Sequence, residues 1–145
     1  MKRYIREKGS ELVDRAYGRA EAGDLHLAFS IWNIGEVIGA FDRYLTRKVI
    51  SSKEYSTASS DLISETLKLS RMGSLAVLPI TAEMISRSWD LVPAYHIYEA
   101  DALQVAACKE AGSELFLCAD YRLLETAKSE GLNPVNVESS DSLNP

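Results

Sequence analysis

Three carboxylates, Glu36, Asp101 and Asp120, hold the chemistry available to this chain. Each stands at the entrance of a helical segment or the exit of a strand, in a sequence that alternates strand and helix patterns. An open α/β sheet gathers such positions at one edge, the carboxyl ends of its strands. Acids crowded there repel one another: at ~4 Å and an effective dielectric of ~20, each pair costs about 4 kcal/mol. The acids can spread apart, share protons or be neutralised by a bound cation, and the last option makes a divalent-metal site. Each acid also has a purely structural role open to it. Asn33-Ile-Gly-Glu36 fits a helix capping box, Asp101 suits the positive end of a helix dipole, and Asp120 suits a helix cap. Their joint placement at one crevice is what raises them above those roles. Cys108 and Cys118 are too few and too isolated for a zinc site or a disulfide framework. His26 and His96 have no nearby Cys or His partner at metal-ligand spacing.

The elements that must position these acids are read from periodicity and punctuation. Ser10 with Leu12, Val13, Ala16, Tyr17 and Ala20 predicts a capped amphipathic helix ending at Gly23-Asp24, and Leu25, Leu27 and Phe29 alternate as a short strand. Ile34, Val37, Ile38, Phe41 and Leu45 recur at helical spacing, with Gly35 and Gly39 one turn apart as a place for close helix approach. Ser51-Ser52 caps a helix bearing Tyr55, Ala58, Leu62 and Leu69, and Leu75 to Ile80 reads as a buried strand. Thr81 caps a helix with Met84, Ile85 and Trp89 on its core side, and Pro93 ends it. A further helix carries Ile97, Ala100, Leu103, Gln104 and Ala107 up to Gly112. Leu115 to Cys118 is a strand, Leu123, Leu124 and Ala127 mark a helix stopping at Gly131, and Val135 and Val137 mark a last strand. This order calls for a mainly parallel sheet with helices on both faces. One domain over 1–138 and a flexible tail over 139–145 are expected.

Composition narrows the function classes. The chain has 145 residues, 46% hydrophobic and 26% charged, with a net charge of −5. That balance argues against a general nucleic-acid coat, which needs a basic surface to release counterions. A nuclease needs only local basic residues beside an acidic, metal-neutralised pocket. Arg3, Arg6 and Lys8, and later Arg43, Arg47 and Lys48, are candidates for such a patch, although each group also reads as a solvated helix face. No apolar run is long enough to span a bilayer and the opening lacks a signal peptide's apolar stretch, so cytoplasmic residence is the expectation.

Phe29-Ser-Ile-Trp-Asn-Ile-Gly-Glu36-Val, Tyr98-Glu-Ala-Asp101-Ala-Leu-Gln-Val-Ala and Leu115-Phe-Leu-Cys-Ala-Asp120-Tyr-Arg-Leu-Leu, in that order and spacing, resemble the PIN-domain family, including its VapC-type toxin nucleases. The early Tyr-Ile-Arg-Glu-Lys-Gly-Ser-Glu-Leu and the closing Ala127-Lys-Ser-Glu-Gly-Leu-Asn-Pro-Val-Asn are similar too, so the resemblance spans nearly the whole chain. It implies a three-layer α/β/α fold and a Mg²⁺- or Mn²⁺-dependent endoribonuclease with Glu36, Asp101 and Asp120 as metal-site acids. Mg²⁺ is a hard ion that prefers oxygen ligands and keeps several waters, which suits these residue types. Ser30 and Asn33 fall where small polar residues support the site, or simply cap a helix. Glu99 is a nearby acid that reads as a solvated neighbour, and Arg122 is assigned no role. An RNA substrate, an antitoxin partner and a homodimer follow from the same resemblance.

The family's first metal acid lies at the end of a first strand in the middle of the sheet, in an Asp-Thr or Asp-Ser motif, and no such segment appears here. Its absence would remove one of four acids and expose two strand edges. Three accounts are open: a natural start upstream of Met1, a relic that binds partners without cutting RNA, or a segment from elsewhere that fills the gap. The first is favoured for the natural protein. The competing function is therefore a catalytically impaired PIN-like interaction module. A receiver-like phosphoacceptor is set aside, because the chain opens without an acid pair on a strand and has no strand-end Lys.

Overall fold

The computed structural model describes residues 1–139 and 143; the rest of the expected tail, 140–142 and 144–145, lies outside the described residues. In chain order the elements are α1 (Ser10–Ala22), β1 (Leu27–Ser30), α2 (Ile31–Thr46), α3 (Ser52–Arg71), β2 (Leu75–Leu78), α4 (Ala82–Tyr95), α5 (Glu99–Ala111), β3 (Phe116–Cys118), α6 (Tyr121–Ser129) and β4 (Pro134–Asn136). Side-chain caps fix several helix starts. Ser51 Oγ accepts from Glu54 N at 3.3 Å while Glu54 Oε2 accepts from Ser51 N at 2.8 Å, a reciprocal box opening α3. Thr81 Oγ1 accepts from Met84 N at 3.1 Å at the start of α4. Ser10 does not cap α1 as expected: Gly9 precedes the helix in the left-handed region, and Ser10 Oγ instead donates to Lys2 O at 2.6 Å. Gly9 also lies where a Cβ would come 2.7 Å from Val137 O, so the close backbone approach in this fold is there. Gly35 has nothing near its missing Cβ, and Gly39 only the end of Arg43, so neither brings α2 close to a neighbour.

The fold is mixed α/β with short parallel strands, as the alternation of patterns requires. β1 pairs with β2 from Leu27↔Leu75 to Ser30↔Leu78, joined by the crossover of α2 and α3. β3 pairs with β4 from Phe116↔Pro134 to Cys118↔Asn136, joined by α6. The single sheet expected from the sequence is thus in two halves, because among the described residues nothing pairs with the other edge of β1 or β3. Between them lies a slot occupied by two cavities of about 640 and 540 Å³. Leu27, Ala28 and Phe29 line both from one side, Leu117 from the other, and Ala16 of α1 closes over them.

Four apolar clusters hold the helices to these half-sheets. Leu91, Ile97, Val105, Phe116 and Leu123 join α4, α5, β3 and α6, while Leu12, Ala16, Val135, Val137 and Leu143 seat α1 on β4. Phe41, Ala58 and Leu62 lock α2 to α3, with Tyr4 edge-on to Phe41 at 6.2 Å between ring centroids. Met84, Leu103 and Ala107 lock α4 to α5. In α5, Ala100, Ala102, Leu103, Val105, Ala106 and Ala107 are all buried, so this helix is enclosed on most sides by close neighbours that its alanines admit.

Two expectations for α4 fail for local reasons. Trp89 is 63% exposed, because the buried stripe runs through Met84, Ser88 and Leu91 and Trp89 is one step round from it. Pro93 sits inside the helix rather than ending it: both Pro93 and Trp89, whose carbonyl loses its partner, are exposed to solvent. The early basic group is not a solvated helix face either. Arg3 is held by Glu65 at 2.7 Å and Asp14 at 2.9 Å, and Arg6 also pairs with Asp14. Among the described residues no helix is long and apolar enough to cross a membrane.

Candidate active site

Ser30 ends β1 fully buried, and α2 begins at once with Ile31, three residues earlier than the periodicity suggests. The capping acceptor is therefore Asn33 and not Glu36: Asn33 Oδ1 accepts from Ser30 N at 2.9 Å and from Ser30 Oγ at 2.9 Å. This frees Glu36, one turn into α2, for the neighbouring helix. Its Oε2 accepts from Asn33 Nδ2 at 3.2 Å and from Gln104 Nε2 of α5 at 3.1 Å. The capping and supporting roles foreseen for Ser30 and Asn33 are thus one continuous relay, Ser30 to Asn33 to Glu36.

Asp101 lies in the first turn of α5, its backbone N–H donating to Tyr98 O at 3.0 Å. The helix dipole favours the ionised form there, yet its proton affinity is raised, first by burial and then by the charge of Asp120. Burial and a like charge together outweigh the dipole. The Glu36 carboxyl is raised as well, first by burial and then by Asp101, against the opposing pull of Asn33, Trp32 and Gln104. Asp120 follows β3 and caps α6, with Oδ1 accepting from Leu123 N at 3.0 Å. Its cap commits one carboxylate oxygen.

Glu36 and Asp101, and Asp101 and Asp120, lie within electrostatic reach of each other, a loose row linked through Asp101. Hard carboxylate oxygens, half-buried at Glu36 and Asp101 and exposed at Asp120, set against each other's charge are the donor type that a divalent cation relieves. Among the described residues, however, no group of three or more acids, His or Cys converges closely enough to hold one ion together. The row offers two pairs sharing Asp101, and Glu36 and Asp101 form its more enclosed end.

The other candidates lie off the row. Glu99 is neither solvated nor turned to the site: its Oε1 is 2.7 Å from Ser88 Oγ of α4. Arg122 is exposed at the start of α6. Cys108 and Cys118 are half-buried free thiols, and burial pushes both up. Sequence reasoning placed Gln104 on an apolar stripe and missed its contact with Glu36. The available signal was its place three residues after Asp101, on the same helix face.

A family model for the PIN domain matches residues 4–129. No curated protein matches the chain.

Proposed function

The chain belongs to the PIN-domain family, and from that premise we propose that it is a Mg²⁺- or Mn²⁺-dependent endoribonuclease with Glu36, Asp101 and Asp120 as its metal-binding acids. Family membership supports nuclease-type activity in general, and PIN domains generally use divalent metal ions. What supports the specific reading is that Gln104 of α5 and Asn33 bond Glu36 Oε2 across two helices, and that Glu36 and Asp101 have raised proton affinities, first through burial and then through the neighbouring acid, Asp101 for Glu36 and Asp120 for Asp101. When bound, a divalent ion supplies charge compensation and an activated water at this row. The chain's own part is positional. Asn33 and Gln104 hold Glu36 Oε2 from two helices, and partial burial of Glu36 and Asp101 weakens the solvent's screening of their charges. On this reading the protein is the toxin of a toxin–antitoxin pair acting in the cytoplasm. Exposed Ile63 and Leu67, one turn apart on α3, offer an apolar surface for an antitoxin or a second copy.

Calorimetric titration with Mn²⁺ tests the site. Asp120→Asn abolishes or weakens binding at least about tenfold, a loss of ~1.4 kcal/mol; unchanged affinity removes Asp120 from the site. A second reading is a PIN-like interaction module with impaired catalysis. The split sheet and, among the described residues, the lack of a converged three-acid group favour it. RNA cleavage that requires both the metal and Asp101 eliminates it.

A further inference from the structure

The acids of the row are secured in different ways. Asp101 and Asp120 are tied to each other by packing. Ala102, next to Asp101, and Leu123, whose N–H Asp120 caps, belong to one apolar cluster with Val105 and Phe116. Glu36 has no such anchor. The apolar face of α2, with Ile34, Val37, Ile38 and Phe41, packs on α3 and on Tyr4. Among the described residues no apolar cluster contains both α2 and α5. α5 does reach the β1–β2 half-sheet, where Leu103 packs with Leu78 at the end of β2, but that contact leaves α2 out.

Among the described residues, the side-chain bond that joins α2 to α5 is the one from Gln104 Nε2 to Glu36 Oε2, at 3.1 Å. Gln104 follows Asp101 by three residues on α5, so its carboxamide links Glu36 to the helix that carries Asp101. The acceptor is a carboxylate, and a hydrogen bond to its ionised form belongs to the stronger class. Asn33 cannot stand in for it. Its 3.2 Å bond to the same oxygen comes from α2 itself, so it orients Glu36 on its own helix without setting a distance to α5. Packing does not stand in either. Ser30, Asn33 and Gln104 all line the cavity of about 640 Å³, so open space lies beside the three residues that hold Glu36.

We propose that Gln104 is a positioning residue, a clasp between α2 and α5 that sets Glu36 against Asp101 and makes cation affinity and the α2–α5 junction depend on each other. The proposal rests on the metal-site reading above and concerns how that site closes. Where Glu36 and Asp101 share a cation, α2 and α5 are held in the arrangement that the clasp already favours. Coupling of this kind is reciprocal, so what the clasp adds to cation affinity is returned as added stability of the junction. Hydrogen-bond partners of metal ligands typically account for roughly 10–100-fold in affinity.

The test uses the full chain, with Mn²⁺ titrated by calorimetry and backbone hydrogen–deuterium exchange followed with and without Mn²⁺. Gln104→Met keeps the side-chain length and the helix propensity and removes the donor. Gln104→Asn keeps the donor and shortens its reach by a methylene. Each variant binds Mn²⁺ about tenfold or more weakly than the parent. In the parent, Mn²⁺ slows exchange in α2 and in α5; in the variants at saturating Mn²⁺ the added protection of α2 is lost while that of α5 remains. A merely structural role would change exchange equally with and without the ion. The proposal falls if Gln104→Met, with the parent's circular dichroism spectrum, binds Mn²⁺ within about twofold of the parent. It also falls if Mn²⁺ protects α2 equally in variant and parent. Should Gln104→Met fail to fold, Gln104→Asn decides by the same two readouts. A parent that binds no Mn²⁺ overturns the metal-site reading alone. The clasp is then judged in the metal-free protein by urea unfolding of Gln104→Met, Glu36→Ala and their combination: non-additive losses uphold it and additive losses overturn it.

Discussion

At Asp120 one carboxylate serves two purposes that substitution can separate: Oδ1 caps α6, and the group's charge bears on Asp101. Asn is as good an N-cap as Asp, while Ala cannot accept the Leu123 N–H. Asp120→Asn therefore leaves thermal stability nearly unchanged, and Asp120→Ala costs about 1 kcal/mol, read as the difference between their urea midpoints. Equal stabilities for the two variants would show that the cap contributes nothing. All three acids were legible in the sequence from their places at strand exits and helix entrances. The wiring that holds them was less so. Local punctuation suggested Asn33 and Glu36 as a box, but Ser30 comes first in the chain as a better cap and takes Asn33 for itself. The Gln104 bond to Glu36 crosses 68 residues of sequence, and no periodicity reports a contact of that range.

Among the elements, α6 is held at its carboxyl end by Glu130, which accepts from Tyr95 Oη at 2.8 Å and pairs with Lys109 of α5. These partners, Lys109 first and Tyr95 second, hold the Glu130 carboxyl below its ordinary range. A carboxyl depressed in the folded state stabilises the fold above its unfolded pKa of about 4.3, and that contribution disappears as pH falls through the lower, folded value. Lys109→Met should therefore cost about 0.2–1 kcal/mol at neutral pH and flatten the fall of melting temperature between about pH 5 and 3. A melting profile parallel to that of the parent would show that the clamp is inert. Helix caps such as Ser51, Thr81 and Asp120 were readable because their chemistry is local. Trp89 was misplaced because the buried stripe of α4 passes through Ser88, a polar residue that hydrophobic periodicity skips. Ser88 is tolerated inside because its hydroxyl lies 2.7 Å from both Ile85 O and Glu99 Oε1.

For the whole molecule the determining feature is the slot between the half-sheets, where β1 and β3 each turn an edge unpaired among the described residues toward the two cavities. Phe29, Cys118 and Ala119 mark its carboxyl end, and Met1 to Tyr4 line that end as well. A strand running parallel to β1 and β3 would leave the slot beside Met1. The terminal ammonium is poorly placed there, its proton affinity lowered chiefly by burial, and an amide in its place carries no charge to desolvate. Ordering a strand residue costs about 1–2 kcal/mol. Burying a Val or Ile side chain returns roughly 1.5–3 kcal/mol, and its edge hydrogen bonds add about 0.5–1.5 kcal/mol each. The balance favours an apolar strand over a polar one of the same length. A five-residue Val/Ile-rich extension fused ahead of Met1 should therefore raise the melting temperature by several degrees, at about 2–8 °C for each kcal/mol gained. A Gly/Ser extension of equal length fills neither cavity and should gain only the smaller relief of the terminal charge. It also removes the buried ammonium, so equal stabilisation by the two would trace the gain to the charge and not to strand insertion. If neither extension stabilises the protein, the slot does not accept a strand.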